Sequence, residues 1–435
     1  MTYKEARVYL DEVSKYGSVL GLDMIRGLLG ELGNPQDSLK FIHIAGTNGK
    51  GSVLAYTSTI LSEAGYRTGR YVSPTVVSYL ERIQVDGKWI PEDDFAELVE
   101  EVQKAIARME AEGKGSPTVF EAETAVAFLY FRKMNCDLVV LETGLGGELD
   151  ATNIVKNTVA SVFTPISRDH MGFLGDTLEE IAAVKAGIIK PGCTVVTAQQ
   201  KPEVLKVLSR KAEEMKCSIR TADMGEAKVS REDWNGQRFS YRGLEDIEIS
   251  LAGRHQVENA VTALETIELL RTAGYAVSDV AVKRGLRKAT WPGRFTCINR
   301  NPLFIIDGAH NEDAVLRLRE SVERYFNGRR LIFIMGVFRD KEYDKIASIM
   351  APLADEIYTV DLPDSDRSLK ASELECAVKP YCKNTEAKQD IEAAVKAALF
   401  SAKGNDVILA FGSLSYLGQV TELVCLELER MGEKE

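Results

Sequence analysis

Apolar positions along the chain follow two alternating rhythms. Short apolar runs of strand length occur at "KFIHIAG", "CDLVVLETG", "TVASVFTPI" and "CTVVTAQ", with a further strand near "YRTGRYVSP". Between them lie stretches such as "KGSVLAYTSTILSEAG" and "TLEEIAAVKAGII", whose apolar residues fall at helical spacing. This alternation predicts a mostly parallel sheet with helices on both faces. Residues 236–253, "GQRFSYRGLEDIEISLAG", instead alternate singly around a turn-like "RGLED" and predict a small antiparallel hairpin. Helices follow at "HQVENAVTALETIELLRTAG" and "SDVAVKRGLRKA", and then "TWPGRFTCINRNP", residues 290–302, is rich in turn formers and marks a domain boundary. Beyond it the alternation restarts through "LFIIDGAHN", "RRLIFIMGV", "EIYTVDLP" and "DVILAFGS". The expected architecture is α/β throughout, with a larger domain over 1–293 that carries the hairpin insertion and a smaller Rossmann-like domain over 294–435.

Composition narrows the possibilities. The 435 residues exceed one ordinary core, and 45% hydrophobic with 27% charged residues is a globular profile. A net charge of -11 disfavours a general nucleic-acid binder, whose phosphate contacts need a basic face. An anionic substrate must therefore be met by a local site. Seven cysteines without a CxxC pair read as free thiols in a reducing compartment. The N-terminus lacks a basic-then-apolar leader, and no apolar run reaches membrane-spanning length. A cytoplasmic monomer, without nucleic-acid or membrane partners, is expected.

The first strand runs into "GTNGKGS". Glycines at 46, 49 and 51 let backbone N–H groups close on phosphate oxygens, and the helix that starts near Lys50 aims its positive end at the same place. Lys50 would reach terminal phosphates, and Ser52 or Thr47 a magnesium ion. The larger domain is thus expected to be built around a P-loop, although Gly51 intervenes before the serine and the loop is shorter than the usual signature. The alternative is a tight strand-to-helix turn with a solvated lysine.

Other strand ends supply further polar groups. Ser73 ends "YVS", Glu142 ends "DLVVLE", and His170 follows a strand in "SRDHMGFLG". Ligands of open α/β sheets collect at such carboxyl ends. Magnesium prefers oxygen, so His170 reads equally as a ligand or as a hydrogen-bonding group. His43 lies inside the first strand and reads as a core histidine. Asp307 and His310, in "IIDGAHN", either contact a nucleotide across the cleft or form an Asx-type turn that caps the next helix.

Taken together, "LGNPQDSLKFIHIAGTNGKGSV", "SPTVVSYLERIQVDG", "ETGLGGELDATN", "DHMGFLGDTLEEIAAVKAGIIKPG", "HQVENA", "WPGRF" and "DGAHN" resemble the folylpolyglutamate synthase and dihydrofolate synthase family of the Mur ligase superfamily. The matches keep their order from about residue 20 to 312 and continue more weakly to "FGSLSYLG". The resemblance implies an ATP-dependent amide ligase. ATP phosphorylates the carboxyl group of a folate or dihydropteroate, and L-glutamate then attacks the acyl phosphate. It also implies site residues. Thr47, Asn48, Gly49, Lys50, Gly51 and Ser52 would hold ATP phosphates, with Asn259, Arg294 and Asp307 on the nucleotide and His310 beside it. Ser73, Glu142 and His170 would bind magnesium. Lys185 matches a lysine that is carbamylated in this family, able to serve a second magnesium; its bland reading is a surface helix lysine. Lys50, Lys185 and His310 are the expected catalytic groups. The pterin would lie near Leu22, Asp23 and Met24, Phe120, Glu121, Ala122 and Glu123, and Leu149, Asp150 and Ala151.

This chain departs from the family pattern at Val184, at Glu312 and in "FGSLSYLG", the last bearing on the glutamate site. A cell-wall Mur ligase would need an extra N-terminal domain, for which little chain precedes Gly46. A nucleotide-dependent switch would need neither Lys185 nor "DGAHN".

Overall fold

A computed structural model describes residues 1–13, 21–168, 174–363 and 366–432. The first sheet contains β1 (Phe41–Ala45), β2 (Thr68–Tyr71), β3 (Ile83–Val85), β4 (Lys88–Trp89), β5 (Leu138–Glu142), β6 (Thr158–Phe163), β7 (Thr194–Thr197) and β8 (Ser218–Thr221). Their spatial order is β4-β3-β2-β5-β1-β6-β7-β8. All adjacent pairs from β2 to β8 are parallel, while β3 and β4 close one edge as antiparallel strands. β1 is buried along its whole length, as a central strand covered on both faces must be.

One face of this sheet packs on the helices Tyr3–Val13, Asp23–Glu31, Glu92–Ala111 and Val119–Lys133. The other is covered by Lys50–Glu63, Arg254–Thr272 and Asp279–Lys288. The helix Lys50–Glu63 has ten buried positions and little amphipathic pattern, because it lies between the sheet and two other helices. Gly285 permits that packing, since a Cβ there would meet the Ile60 backbone.

Residues 227–249 form three antiparallel strands, β9 (Ala227–Asp233), β10 (Gly236–Tyr241) and β11 (Leu244–Ile249): β10 and β11 are the hairpin expected over 236–253, and β9 adds a strand to it. The second large sheet has β12 (Thr296–Arg300), β13 (Leu303–Asp307), β14 (Leu331–Met335), β15 (Glu356–Thr359), β16 (Thr385–Ala387) and β17 (Val407–Phe411). Its order is β12-β13-β17-β14-β15-β16, parallel except for β12. The turn-rich 290–302 segment therefore contains a strand, pairing Thr296–Arg300 with Leu303–Ile306. Helices cover both faces of this sheet as well.

Candidate active site

The carboxyl end of β1 leads directly into the loop 46–49. Gly46 has φ 151, and a Cβ there would overlap Thr164, just beyond β6. Gly49 has φ 89 at the start of the helix Lys50–Glu63; a Cβ would lie 2.5 Å from Asn259 Oδ1. At Gly51 it would lie 2.5 Å from Trp291 Nε1. The loop is thus pressed from three sides by groups that only glycine tolerates.

Its side chains divide their work. Thr47 Oγ1 donates to the Ser167 carbonyl at 2.9 Å and accepts from Ser167 N–H at 3.0 Å. The Ser52 hydroxyl is buried without a hydrogen-bond partner, which makes it the group better placed to answer a ligand. Lys50 Nζ folds back to donate to the carbonyls of Gly46 (3.2 Å) and Thr47 (3.3 Å), and lies 3.9 Å from Glu142 Oε1. Asn48 faces the second sheet. Its amide exchanges hydrogen bonds with Asn311, both 3.2 Å, and donates to Asp313 Oδ2 at 2.8 Å.

Glu142 ends β5, in register with Ile44 on β1. It is buried, and burial pushes its pKa up, while Lys50, Arg294 and the Ser73 backbone N–H oppose the shift. Asp307 occupies the matching position in the second sheet. One oxygen accepts Phe295 N–H (2.7 Å) and the other Ala309 N–H (2.8 Å). Burial raises this pKa too, again against Arg294. Arg294 therefore acts on the terminal carboxylates of both sheets. The Ala309 bond is the Asx turn anticipated as an alternative for Asp307, and the cap of the helix Glu312–Phe326 is Asn311. His310 Nδ1–H donates to the Gly308 carbonyl at 2.8 Å. Asn259 is buried on Arg254–Thr272 and donates to Gln256 at 3.1 Å.

Lys185 is no surface lysine. It is 5% exposed and donates to the Gly46 carbonyl at 3.0 Å, which ties the helix Leu178–Ala186, between β6 and β7, to the loop. His43 is a core histidine, 2.9 Å from Thr152 Oγ1, with burial pulling its pKa to about 3. His170 lies outside the described residues.

No group of three His, Cys, Asp or Glu side chains suited to a metal is found among the described residues. What lines one cavity instead is oxygen, Ser73 and the buried carboxylate Glu142, and the Ser52 hydroxyl on the adjoining loop is buried without a partner. This donor set fits magnesium, which keeps several waters and shares one or two carboxylates with substrate phosphates.

Family models match the chain over most of its length: the Mur ligase middle domain at residues 44–267, and the Mur ligase glutamate ligase domain at 293–414. The dihydrofolate synthase/folylpolyglutamate synthase of Bacillus subtilis (strain 168) is 35% identical over 425 residues, covering 96% of this chain and 98% of the relative. The chain belongs to the folylpolyglutamate synthase/dihydrofolate synthase family of Mur ligases. The crystal structure of folylpolyglutamate synthase from Thermotoga maritima superposes with a TM-score of 0.85 at 34% identity, covering 98% of this chain and 97% of that one. FolC of E. coli in complex with DHPP and ADP gives 0.87 at 30% identity, covering 98% and 99%.

In this Mur ligase the three segments expected around a pterin share one neighbourhood. Gly21 N–H donates to the Leu149 carbonyl (3.2 Å), Ile25 N–H to Glu121 Oε1 (3.1 Å), and a Cβ on Gly144 would lie 2.5 Å from Phe120 Cζ. Within them, Leu22, Met24 and Phe120 are partly buried, while Asp23 and Leu149 are exposed. Ala122 and Ala151 are buried in the core. Glu121 also closes the capping box of its own helix with Thr118. Glu123 is held by Arg82 and Tyr79. Asp150 accepts Leu145 N–H (2.7 Å) and Thr152 N–H (3.0 Å), organising the loop after Glu142. Internal structure thus accounts for Glu121, Glu123 and Asp150. Sequence reasoning missed Asn311 and Asp313 as partners of the phosphate loop, and Trp291 as its cover. The latter had a signal, the Trp of "WPGRF".

Proposed function

We infer that the chain is an ATP-dependent amide ligase that adds L-glutamate to folates, extending tetrahydrofolate and joining glutamate to dihydropteroate. A carboxylate oxygen of the acceptor attacks the γ-phosphorus of ATP, the bond to the β-phosphate oxygen breaks, and ADP leaves. The glutamate nitrogen then attacks the acyl carbon, the C–O bond to phosphate breaks, and the nitrogen sheds its proton. The observation that carries this reading is the meeting of the Gly46–Ser52 loop with Glu142, Arg294 and Asp307 between two sheets, in a chain 35% identical to a named ligase over 96% of its length.

Thr47, Asn48, Gly49, Lys50, Gly51 and Ser52 form the phosphate cradle, and Asn259, Arg294 and Asp307 its nucleotide-facing wall. Lys50 swings from the loop carbonyls to the transferred phosphoryl group, where charge builds. Ser73 and Glu142, with His170, would hold magnesium; when bound, the ion neutralises phosphate charge. Burial of the Lys185 amine beside Gly46 supports its carbamylation, in which the nitrogen adds carbon dioxide and releases a proton. His310, held through Nδ1–H to the Gly308 carbonyl, would stand beside the nucleotide. Leu22, Asp23, Met24, Phe120 and Leu149 form the acceptor surface. The division after Gly293 is supported by the gap between the matched family domains and by β12 beginning at Thr296. Among the described residues, no helix is long and apolar enough to cross a membrane. The free cysteines support a reducing, cytoplasmic compartment, and a monomer is part of the proposal.

The test is ADP release with ATP, magnesium and L-glutamate, comparing dihydropteroate with tetrahydrofolate. Turnover with both is expected. Turnover with tetrahydrofolate alone would restrict the enzyme to polyglutamylation, and ATP hydrolysis indifferent to both would overturn the ligase.

A further inference from the structure

A cavity of about 190 Å³ opens beside the site. Its lining includes Ser73 and Glu142 and extends to Arg70, Gln84 and Trp89 on β2–β4, with Trp291 from the 290–292 segment. Arg70 has no role in the machinery described above. It is 8% exposed and lies in β2 opposite Val140. One Nη donates to Thr59 Oγ1 at 2.6 Å, the other makes a long 3.5 Å bond to Gln84, and Nε has no partner. Among the described residues it forms no ion pair. The carboxylate whose charge acts on it is Asp86, which already accepts the Ser62 hydroxyl and the Thr68 N–H at 2.9 Å each. Burial pulls its pKa down only to about 10, so the guanidinium remains charged at neutral pH. A buried cation with no carboxylate in ion-pair contact is costly unless a ligand supplies one.

The remaining lining says what that ligand is. Glu81 does not serve Arg70, since its oxygens accept the N–H groups of Val76, Val77 and Ser78. The volume is below the roughly 300 Å³ at which drug-sized pockets begin, which suits an amino-acid residue better than a pterin with its benzoyl arm. A guanidinium matches a carboxylate in bidentate geometry, and two indole rings suit the methylenes that carry it.

We propose that this cavity is a subsite for a glutamyl carboxylate, anchored by Arg70. The inference rests on the folate-ligase reading for the identity of the occupant. That occupant is either the incoming L-glutamate or the terminal glutamyl residue of an acceptor already extended.

Two of the chain's three tryptophans line the cavity, so binding to the full chain can be followed by their fluorescence without turnover. L-Glutamate and γ-L-glutamyl-L-glutamate are the probes. The wild type should give a saturable change with one of them. Arg70→Leu and the near-isosteric Arg70→Gln should weaken it at least tenfold, and Arg70→Lys less. In steady state, Arg70→Gln should raise the KM of L-glutamate if the incoming amino acid occupies the cavity. It should raise the KM of a diglutamyl folate instead if the acceptor tail does, with kcat little changed in either case. Wild-type turnover with unaltered probe affinity and both KM values unmoved in Arg70→Gln, at an unchanged circular-dichroism melt, overturns the subsite and leaves the ligase standing. No acceptor-dependent ADP release in the wild type would instead remove the ligase reading, and saturable Arg70-dependent probe binding would still uphold the subsite.

Discussion

Glu142 and Lys185 are buried ionisable groups at the phosphate loop, and burial gives each a measurable consequence. An acid whose folded pKa is raised binds its proton more tightly in the native state. Glu142 therefore favours folding at low pH. That contribution is lost as pH climbs from the ordinary 4.5 through the raised folded value, above which a buried charge remains. Glu142→Gln should accordingly raise the melting temperature of the ligand-free protein at pH 8 by about 1–2 °C, a gain that narrows toward pH 5, while turnover collapses. Added magnesium and nucleotide should stabilise the wild type more than the variant. Melts at the two pH values check this, and a variant less stable at pH 8 would refute the burial account. Lys185→Ala should lower ADP release by about 10²-fold or more, with partial recovery in a small carboxylate such as acetate. An unchanged rate would remove the carbamate. At this scale much was legible: the glycines, Lys50, Glu142 and Asp307 all stand at strand ends that the apolar runs announce. What could not be read was which hydroxyl, Thr47 or Ser52, is left without an internal partner, because Ser167 lies 120 residues away from Thr47.

At the scale of elements, the loop and its helix work only if the backbone turns where a side chain would not fit. Gly49 is left-handed and faces Asn259 Oδ1 at once, so Gly49→Ala combines a conformational cost of about 1–2 kcal/mol with a clash against a buried amide. ATP-analogue affinity should fall at least about tenfold, since 1.4 kcal/mol corresponds to a factor of ten. Calorimetric titration of the variant measures this, and wild-type affinity would mean that the loop takes another shape when loaded. The same scale explains which elements the sequence revealed. Buried parallel strands such as Phe41–Ala45 and Leu331–Met335 are continuous apolar runs and stand out. Ala227–Asp233 has no fully buried position, so "AKVSRED" lacks the period that betrays a half-buried strand. Thr296–Arg300 is flanked by turn formers and only half-buried, which hides an edge strand inside an apparent linker. Arg70 was visible only as one residue of a strand; its opposition to Gln84 across β2 and β3 is a property of the sheet.

Across the whole molecule, the two large sheets meet through short segments that also carry the chemistry. A Cβ on Gly418 would run into the Val76 carbonyl, so the segment after Ser73 lies tight against the last helix. Asn48 and Asn311, 263 residues apart, tie the phosphate loop to the start of Glu312–Phe326. Asn311 has two duties there, because its side chain also accepts Ala314 N–H at 3.0 Å as the helix cap. The duties can be separated. Asn311→Ser keeps a capping hydroxyl but is too short to exchange paired amide bonds with Asn48. Asn311→Ala loses both, at about 1 kcal/mol for the cap alone. If the pair aligns the loop with the second sheet for phosphoryl transfer, Asn311→Ser should keep the denaturation midpoint of the wild type yet lower kcat/KM for ATP several-fold. Asn311→Ala should add a loss of stability without a much larger loss of rate. Asn48→Ala should then reproduce the kinetic defect, and combining it with Asn311→Ser should add little, because both remove the same contact. Additive losses in that cycle would show that the two amides act separately, and the second sheet would then have to be aligned through Arg294 and the segment around Val76.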